Sequence, residues 1–255
     1  MIIITKRHSG EIIIEVDAVS LEGVDLSNTD LRNASLSGKN LKGVNLRGTD
    51  LRGANLQFSN LLGANLSGSR LEGANFCRTN LSGVDFSGAD LSSANLQRSI
   101  FIKVNFSRTR LVGAKLPFSN FDKSNFFETD FSGANLKKSN FSGLNLQGIN
   151  FQNSNLSGSN FKGAKLQEAN FSGADLRWSN FEGADLSNST LSKAVLRSAN
   201  LQNANLNGAI LKGADLMSVN LQGANISHSD LEGAKFKGVK FRMIDHQDDS
   251  SYPGM

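Results

Sequence analysis

From Leu21 to Phe241 a large apolar residue stands at every fifth position, 45 times in succession and without one insertion. The series opens with Leu21, Leu26, Leu31, Leu36 and Leu41 and closes with Leu231, Phe236 and Phe241; every centre is Leu, Phe or Ile. No other feature constrains the fold as strongly. A fixed period sustained over such a length is the mark of an architecture in which one small unit stacks many times. An α-helix needs apolar residues at spacings of three and four, and a strict five walks around its axis. Helix is excluded.

Two residues before each centre sits a small residue, as in Ala54, Ser59, Ala64, Ser69, Ala74 and Thr79. One residue before it is usually Asn or Asp, as in Asn55, Asn60, Asn65, Asn75 and Asn80, and the two residues after it are polar or Gly. Each unit therefore runs small and inward, polar and outward, large and inward, then turns. Alternation of period two is strand behaviour. Gly recurs two residues after alternate centres, at Gly43, Gly53, Gly63, Gly73 and Gly83 and again from Gly113 onward. A turn that needs positive φ there favours Gly or Asn, the type II preference. Asn33, Asn153 and Asn203 fit that column; Lys103, Lys123 and Lys193 fit it less comfortably. Two sides enclose nothing and six leave a hole that Leu and Phe cannot fill, so four sides and twenty residues per coil are expected. At roughly 4.8 Å per coil, about 11 coils make a rod on the order of 50 Å long.

Phrases such as LRGANLQFSNLLGANL and FSGADLRWSNFEGADL resemble the pentapeptide-repeat family, over about residues 16–245. The resemblance implies an all-β fold, a right-handed quadrilateral β-helix or solenoid of about 11 coils of four pentapeptides, with the centre and the small residue inward. The expected organisation is a β-hairpin cap over 1–15, the β-helix over 16–245 with Val16 as a candidate first centre, and a flexible tail over 246–255. MIIITKRHSGEIIIEV reads as two short strands around His8, Ser9 and Gly10, whereas RMIDHQDDSSYPGM is polar and offers no amphipathic capping helix. An uncovered last coil is an exposed edge, and relatives in the family dimerise through their C-terminal coils, which implies a homodimer at that end.

Stacking at twenty residues puts Phe101, Phe121, Phe141, Phe161 and Phe181 in one column and Phe131, Phe151 and Phe171 in another. Three inward positions break the small-residue rule. Leu144 and Ile149 are bulky and should bow the wall. Lys39 is inward by register, and an unpaired buried ammonium is prohibitively costly, so the first coils distort or Lys39 reaches out to solvent.

The chain carries little that performs chemistry. One Cys excludes an intramolecular disulfide and a thiolate metal cluster. His8, His228 and His246 have no ligand spacing, Cys77 points outward with no His in its coil, and Gly38-Lys39 does not complete a phosphate-binding loop. No catalytic residue, metal site or cofactor is expected, and the protein is read as not an enzyme. MIIITKRHSG is not a signal peptide and no run of 18 apolar residues occurs, so a cytoplasmic location without membrane insertion is expected.

The surface is more informative. One corner column reads Phe58, Arg78, Arg98, Phe118, Lys138, Gly158, Trp178, and beside it runs Cys77, Gln97, Pro117, Lys137, Ser157, Arg177, Arg197. Between Asp90 and Asp122 stand five basic residues, Arg98, Lys103, Arg108, Arg110 and Lys115, and no acid. Interfaces favour aromatic and Arg anchors, so Phe58, Arg78, Arg98, Lys115, Phe118, Lys138, Arg177 and Trp178 are the candidate partner-binding residues. Single exposed aromatics are also ordinary on a solvated corner. The reading is a non-enzymatic protein-interaction or scaffold protein presenting a rigid rod to an unknown protein partner. The alternative implied by the family is a mimic of duplex DNA that protects gyrase or topoisomerase, as quinolone-resistance members do. Mimicry of that kind needs an acidic surface, and the net charge here is +4. Nucleic-acid binding along the basic corner ranks last, because no nucleic-acid motif accompanies it.

Overall fold

The computed structural model of the chain describes residues 1–241, so the tail expected over 246–255 lies outside the described residues. The backbone is a right-handed quadrilateral β-helix. With two exceptions, parallel bridges join the residue before each centre to the one twenty positions on, from Asp25↔Asn45, Asp30↔Asp50, Ser35↔Asn55 and Asn40↔Asn60 up to Asn220↔Lys240. Four bridging positions per twenty residues make four sides, as the bore-filling argument requires. The bridging residue is the one before the centre, usually Asn or Asp, whose extended backbone bonds to the coils on both sides. Leu31 N–H donates to the Asp50 carbonyl at 2.8 Å, and Asp50 N–H donates to the Thr29 carbonyl at 3.0 Å.

Each corner is a turn closed across three residues, as where Ala34 N–H donates to the Leu31 carbonyl at 3.0 Å. Positive φ is required at every corner, not at alternate ones. Gly53 has φ 67° and Phe58, one turn on, has φ 58°. The intervening turns therefore hold bulky side chains in left-handed backbone, a conformation that costs a non-glycine residue on the order of 1 kcal/mol. Every Asn in this conformation (Asn28, Asn33, Asn153, Asn188 and Asn203) is followed twenty residues later by Gly. The reason is contact: Asn188 Oδ1 lies 2.5 Å from the point a Cβ on Gly208 would occupy.

The centres fill the bore. Leu66, Phe106 and Leu206 are all buried, and Phe rings stack coil upon coil. Phe141–Phe161 and Phe161–Phe181 have ring centroids 5.0 and 4.8 Å apart with planes nearly parallel, and Phe131–Phe151–Phe171 form the second column at 5.4 and 5.2 Å. A third column, Phe86–Phe106–Phe126, stacks at 5.6 and 5.3 Å; the same period predicts it. Neighbouring columns meet edge to face, the other arrangement that ring quadrupoles favour. Ser and Thr at the small position are buried but bonded: Thr49 and Thr79 hydroxyls donate to the Leu26 and Leu56 carbonyls of the coil below at 2.9 and 2.8 Å. That satisfies a hydroxyl that would otherwise be an unpaired polar group in the core.

Outside, the Asn residues act twice. Most accept at Oδ1 the N–H two residues on, as Asn160 does from Lys162 at 3.1 Å, and many also donate through the amide N–H along the rod. On one face Asn140, Asn160, Asn180, Asn200 and Asn220 donate in turn to Asn120, Asn140, Asn160, Asn180 and Asn200 over 3.0–3.4 Å.

The departures from the pattern have local causes. Lys39 is exposed because no coil underlies it on that side, Val19 itself being fully in solvent. Leu144 is only half-buried whereas Ile149 is fully buried, and among the described residues the bridge Asn125↔Asn145 beside Leu144 is missing. So is the bridge between Ile100 and Asn120. Near the other end β1 (Ile2–Thr5) pairs antiparallel with β2 (Ile12–Val16). Val16 therefore belongs to the hairpin and not to the series of centres. Arg7 N–H donates to the Asn33 carbonyl and Ser35 N–H to the Thr5 carbonyl, at 2.9 and 2.8 Å, which seats buried Ile4 on the first coil. Among the described residues no helix is long and apolar enough to cross a membrane.

Candidate interaction surface

Because coils stack in register, residues twenty apart form a line along the rod. The turn residues Phe58, Arg78, Arg98, Phe118, Lys138 and Trp178 share one corner, each in left-handed backbone with φ between 56° and 61°. That backbone directs their side chains outward, and the three aromatics are 57%, 68% and 63% exposed. They pair with cations from the same or the next coil. The Arg78 guanidinium lies 5.6 Å from the Phe58 ring, Lys138 Nζ 5.8 Å from Phe118, and the Arg177 guanidinium 5.3 Å from Trp178. Exposed contacts of this kind stabilise by about 0.5–1 kcal/mol each, enough to hold long side chains in place on an open surface.

Of the eight candidate residues, six thus form three cation–aromatic pairs. Arg98 stands on the same corner and Lys115 on the adjoining face, both exposed and without an ion pair among the described residues. Arg177 also forks onto Asp175, with Nη2 2.6 Å from Oδ2. Burial pushes the Asp175 carboxyl up, and the hydrogen bonds from Arg177 more than reverse that, leaving its pKa below the ordinary value. Along this corner and the strand before it, positions 35–238 hold nine cations and two carboxylates, Asp175 and Asp215. Both carboxylates are paired, with Arg177 and Arg197. The five basic residues between Asp90 and Asp122, by contrast, do not gather: Arg108 pairs with Glu128 at 2.9 Å on another corner and Arg110 with Asp90 at 3.5 Å on another face. Linear proximity is not spatial proximity when the chain turns every five residues.

The face next to this corner carries exposed apolar side chains that do not figure among the candidates above. Ile100 is 50% exposed at the position that holds Asn in the coils on either side, and Ile102 and Leu62 are exposed at the next corner. Its signal in the sequence is that it is the single aliphatic residue in a column running from Asn40 to Asn220.

On another corner the Arg108 guanidinium lies 5.8 Å from the exposed Phe127 ring. A cleft of about 490 Å³ opens between the hairpin and the first coil, lined in part by Lys6, Glu11, Asp30 and Arg32. Its charged groups are already paired, Lys6 with Glu11 at 2.8 Å and Arg32 with Asp30 at 2.6 Å. Hydrogen bonds from Arg32 hold the Asp30 pKa at about 2, far from the range of a general base at neutral pH. Cys77 is half-buried. Among the described residues no group of three or more His, Cys, Asp and Glu could hold a metal ion.

A family profile described as pentapeptide repeats matches the chain in 8 copies, over residues 20–57, 59–98, 105–143, 145–183, 174–213 and 214–245. Comparison with curated proteins finds no match. Among solved structures the chain is similar to HetL of the cyanobacterium Nostoc sp. strain PCC 7120, a protein involved in heterocyst differentiation regulation. The identity is 27%, covering 86% of this chain and 89% of HetL, with a TM-score of 0.46. It is also similar to QnrB1, a plasmid-mediated fluoroquinolone resistance protein, at 19% identity over 70% of this chain and 91% of QnrB1, with a TM-score of 0.42. A third is Rfr23 from the cyanobacterium Cyanothece 51142, at 28% identity over 54% and 90%, with a TM-score of 0.22.

Proposed function

The chain belongs to the pentapeptide-repeat family, and from that premise we propose that it is a non-enzymatic, cytoplasmic binding protein whose rigid rod presents the cation–aromatic corner to a protein partner. The observation that carries this reading is the set of three cation–aromatic pairs on one edge, at Phe58, Phe118 and Trp178. Each aromatic occupies left-handed backbone that glycine would fill without strain, so the fold accepts strain here and recovers only the weak cation–aromatic contacts. Residues that break a local rule without a structural return mark functional surfaces. A rigid scaffold also lowers the ordering cost of association. Mimicry of duplex DNA is disfavoured by the same corner, which carries the charge of a DNA-binding groove and not that of DNA.

Purification of the tagged chain from its native cell, beside a Phe118→Ala/Trp178→Ala variant, tests the reading. A protein retained by the native chain and lost by an equally stable variant is the expected result; retention of every partner by the variant ends the case for this corner. Association of two copies through the C-terminal coils is a secondary part of the proposal, supported by Phe236 and Phe241, which are 36% and 38% exposed. Sedimentation that stays monomeric at high concentration removes it.

A further inference from the structure

We propose that the flat face carrying the Asn ladder, between the corners of Phe118 and Ile102, docks an acidic amphipathic helix of a partner protein. The inference rests on the protein-binding reading above and names the partner's chemistry.

The ladder itself points to the place. In every coil from Asn40 to Asn220 this face presents Asn, except at Ile100. Asn80 donates to Asn60 at 3.3 Å and Asn140 to Asn120 at 3.3 Å, but Ile100 can join neither neighbour. It also cannot accept the Ile102 N–H, as Asn80 accepts from Ser82 and Asn140 from Ser142. The parallel bridge to Asn120 is missing as well. The coil gives up three kinds of bond and receives a half-exposed aliphatic side chain. Between the end coils, all exposed large apolar side chains but Phe127 and Ile210 lie on this face or its two corners.

Cations border the apolar centre. Arg78 and Arg98 stand on one corner, Lys103 and Lys123 on the other. The two lysines have φ 57° and 58° where the coils on either side have Gly83 and Gly143, so strained backbone is accepted at the positions that supply charge. None of these four makes an ion pair among the described residues. Asp122 is the single carboxylate on this stretch of the face and its corners, between positions 57 and 143. An apolar centre with cations on both sides that have no carboxylate partner complements a stripe of apolar side chains flanked by carboxylates.

The backbone decides the shape of the occupant. Away from the step between Ile100 and Asn120, the strand N–H and C=O groups of this face are bonded to the coils above and below, so a strand finds no continuous edge to join. A helix needs none, having all its backbone bonds inside itself, and a flat sheet face is the surface helices pack on. Single-stranded nucleic acid would use the cations and the rings but leave Ile100, Ile102 and Leu62 facing phosphate and water.

The test is fluorescence anisotropy with the full chain and labelled probes: a synthetic helical peptide with a Leu stripe flanked by Glu, the same peptide with Lys for Glu, the same with Ser for Leu, and oligothymidylate. The Leu–Glu peptide is expected to bind in a salt-sensitive manner, and the other two peptides at least about tenfold more weakly. Ile100→Asn restores the ladder residue, so its melting temperature is expected to hold or rise while peptide affinity falls about tenfold, the behaviour of a hot-spot residue. Ile102→Ser, which installs the residue found at Ser82 and Ser142, is expected to bind equally weakly with unchanged melting. Unchanged affinity in both variants, or no binding of the Leu–Glu peptide, overturns the proposal. Oligothymidylate binding more tightly than the peptide overturns it in favour of nucleic acid. If the native partner is lost by Phe118→Ala/Trp178→Ala but kept by Ile100→Asn, the helix site is wrong and the protein-binding reading stands.

Discussion

Truncating Phe161 to Ala removes a ring that four others touch. Phe141 and Phe181 stack on its two faces at 5.0 and 4.8 Å, and Phe151 and Phe171 meet it edge to face at 5.8 and 5.9 Å. The side chain is fully buried. Phe→Ala in a core costs about 3–5 kcal/mol, the spread reflecting how far the surroundings collapse into the space. Collapse is restricted here because the coil spacing is set by backbone bonds such as Phe161 N–H to the Asn180 carbonyl at 2.7 Å. Each lost ring pair adds roughly 0.5–1.5 kcal/mol beyond buried area, which places the expected loss at the upper end, about 5 kcal/mol. A solenoid sums nearest-neighbour terms and need not unfold in one step, so the assay is hydrogen exchange followed by mass spectrometry, beside a thermal melt. Protection is expected to fall in the coils spanning 141–200 and to persist near residue 41. Phe161→Leu, which installs the residue of position 201, is expected to lose about half as much or less. Unchanged melting and protection in Phe161→Ala would refute the packed-bore account.

Three further outcomes follow from particular contacts. Gly208→Ala puts a methyl 2.5 Å from Asn188 Oδ1 in backbone of φ 69° and is expected to destabilise by about 1–3 kcal/mol; adding Asn188→Ala should recover part of it in urea melts. Asn160→Ala breaks one ladder bond on each side and the cap on Lys162 N–H, an expected loss of about 1–2 kcal/mol, and an unchanged melt would make the ladder decorative. Asp30, Asp50 and Asp175 have pKa values below the unfolded value, through hydrogen bonds from Arg32 and Arg52 for the first two and from Arg177 against opposing burial for the third. Their stabilisation is complete above the unfolded carboxylate value of 3.8 and is lost as pH falls through the lowered folded values, about 2 for Asp30; an acid limb that stays flat below 3.8 in Tm against pH contradicts the assignment.

The repeat made the fold readable because one rule was written many times over. Period five rejects a helix, the size of Leu and Phe selects four sides, and the bridges at twenty residues agree. Corner conformation was half-readable. Gly announces left-handed backbone at one set of turns, whereas Phe58, Arg78 and Trp178 hide it at the other, since nothing about a bulky residue signals positive φ. Lys39 was readable as a misfit, but its escape to solvent depends on Val19 leaving the coil below incomplete, a fact of three dimensions. The cation–aromatic corner followed from counting by twenties. Ile100 did not emerge, because attention to what repeats passes over the one position where the repeat is declined.

The twenty-residue register also sets which length changes the rod can tolerate. Excision of one whole turn of the square, four consecutive pentads, rejoins like to like: every remaining side chain keeps its compass direction and only the overall length shrinks. Excision of a single pentad rotates all that follows by a quarter, so the amide seam above Asn120 would abut the wrong wall and the arginine edge would be severed in two. Evolution can lengthen or shorten such a molecule in quanta while preserving what it displays, and anything smaller rewrites the display.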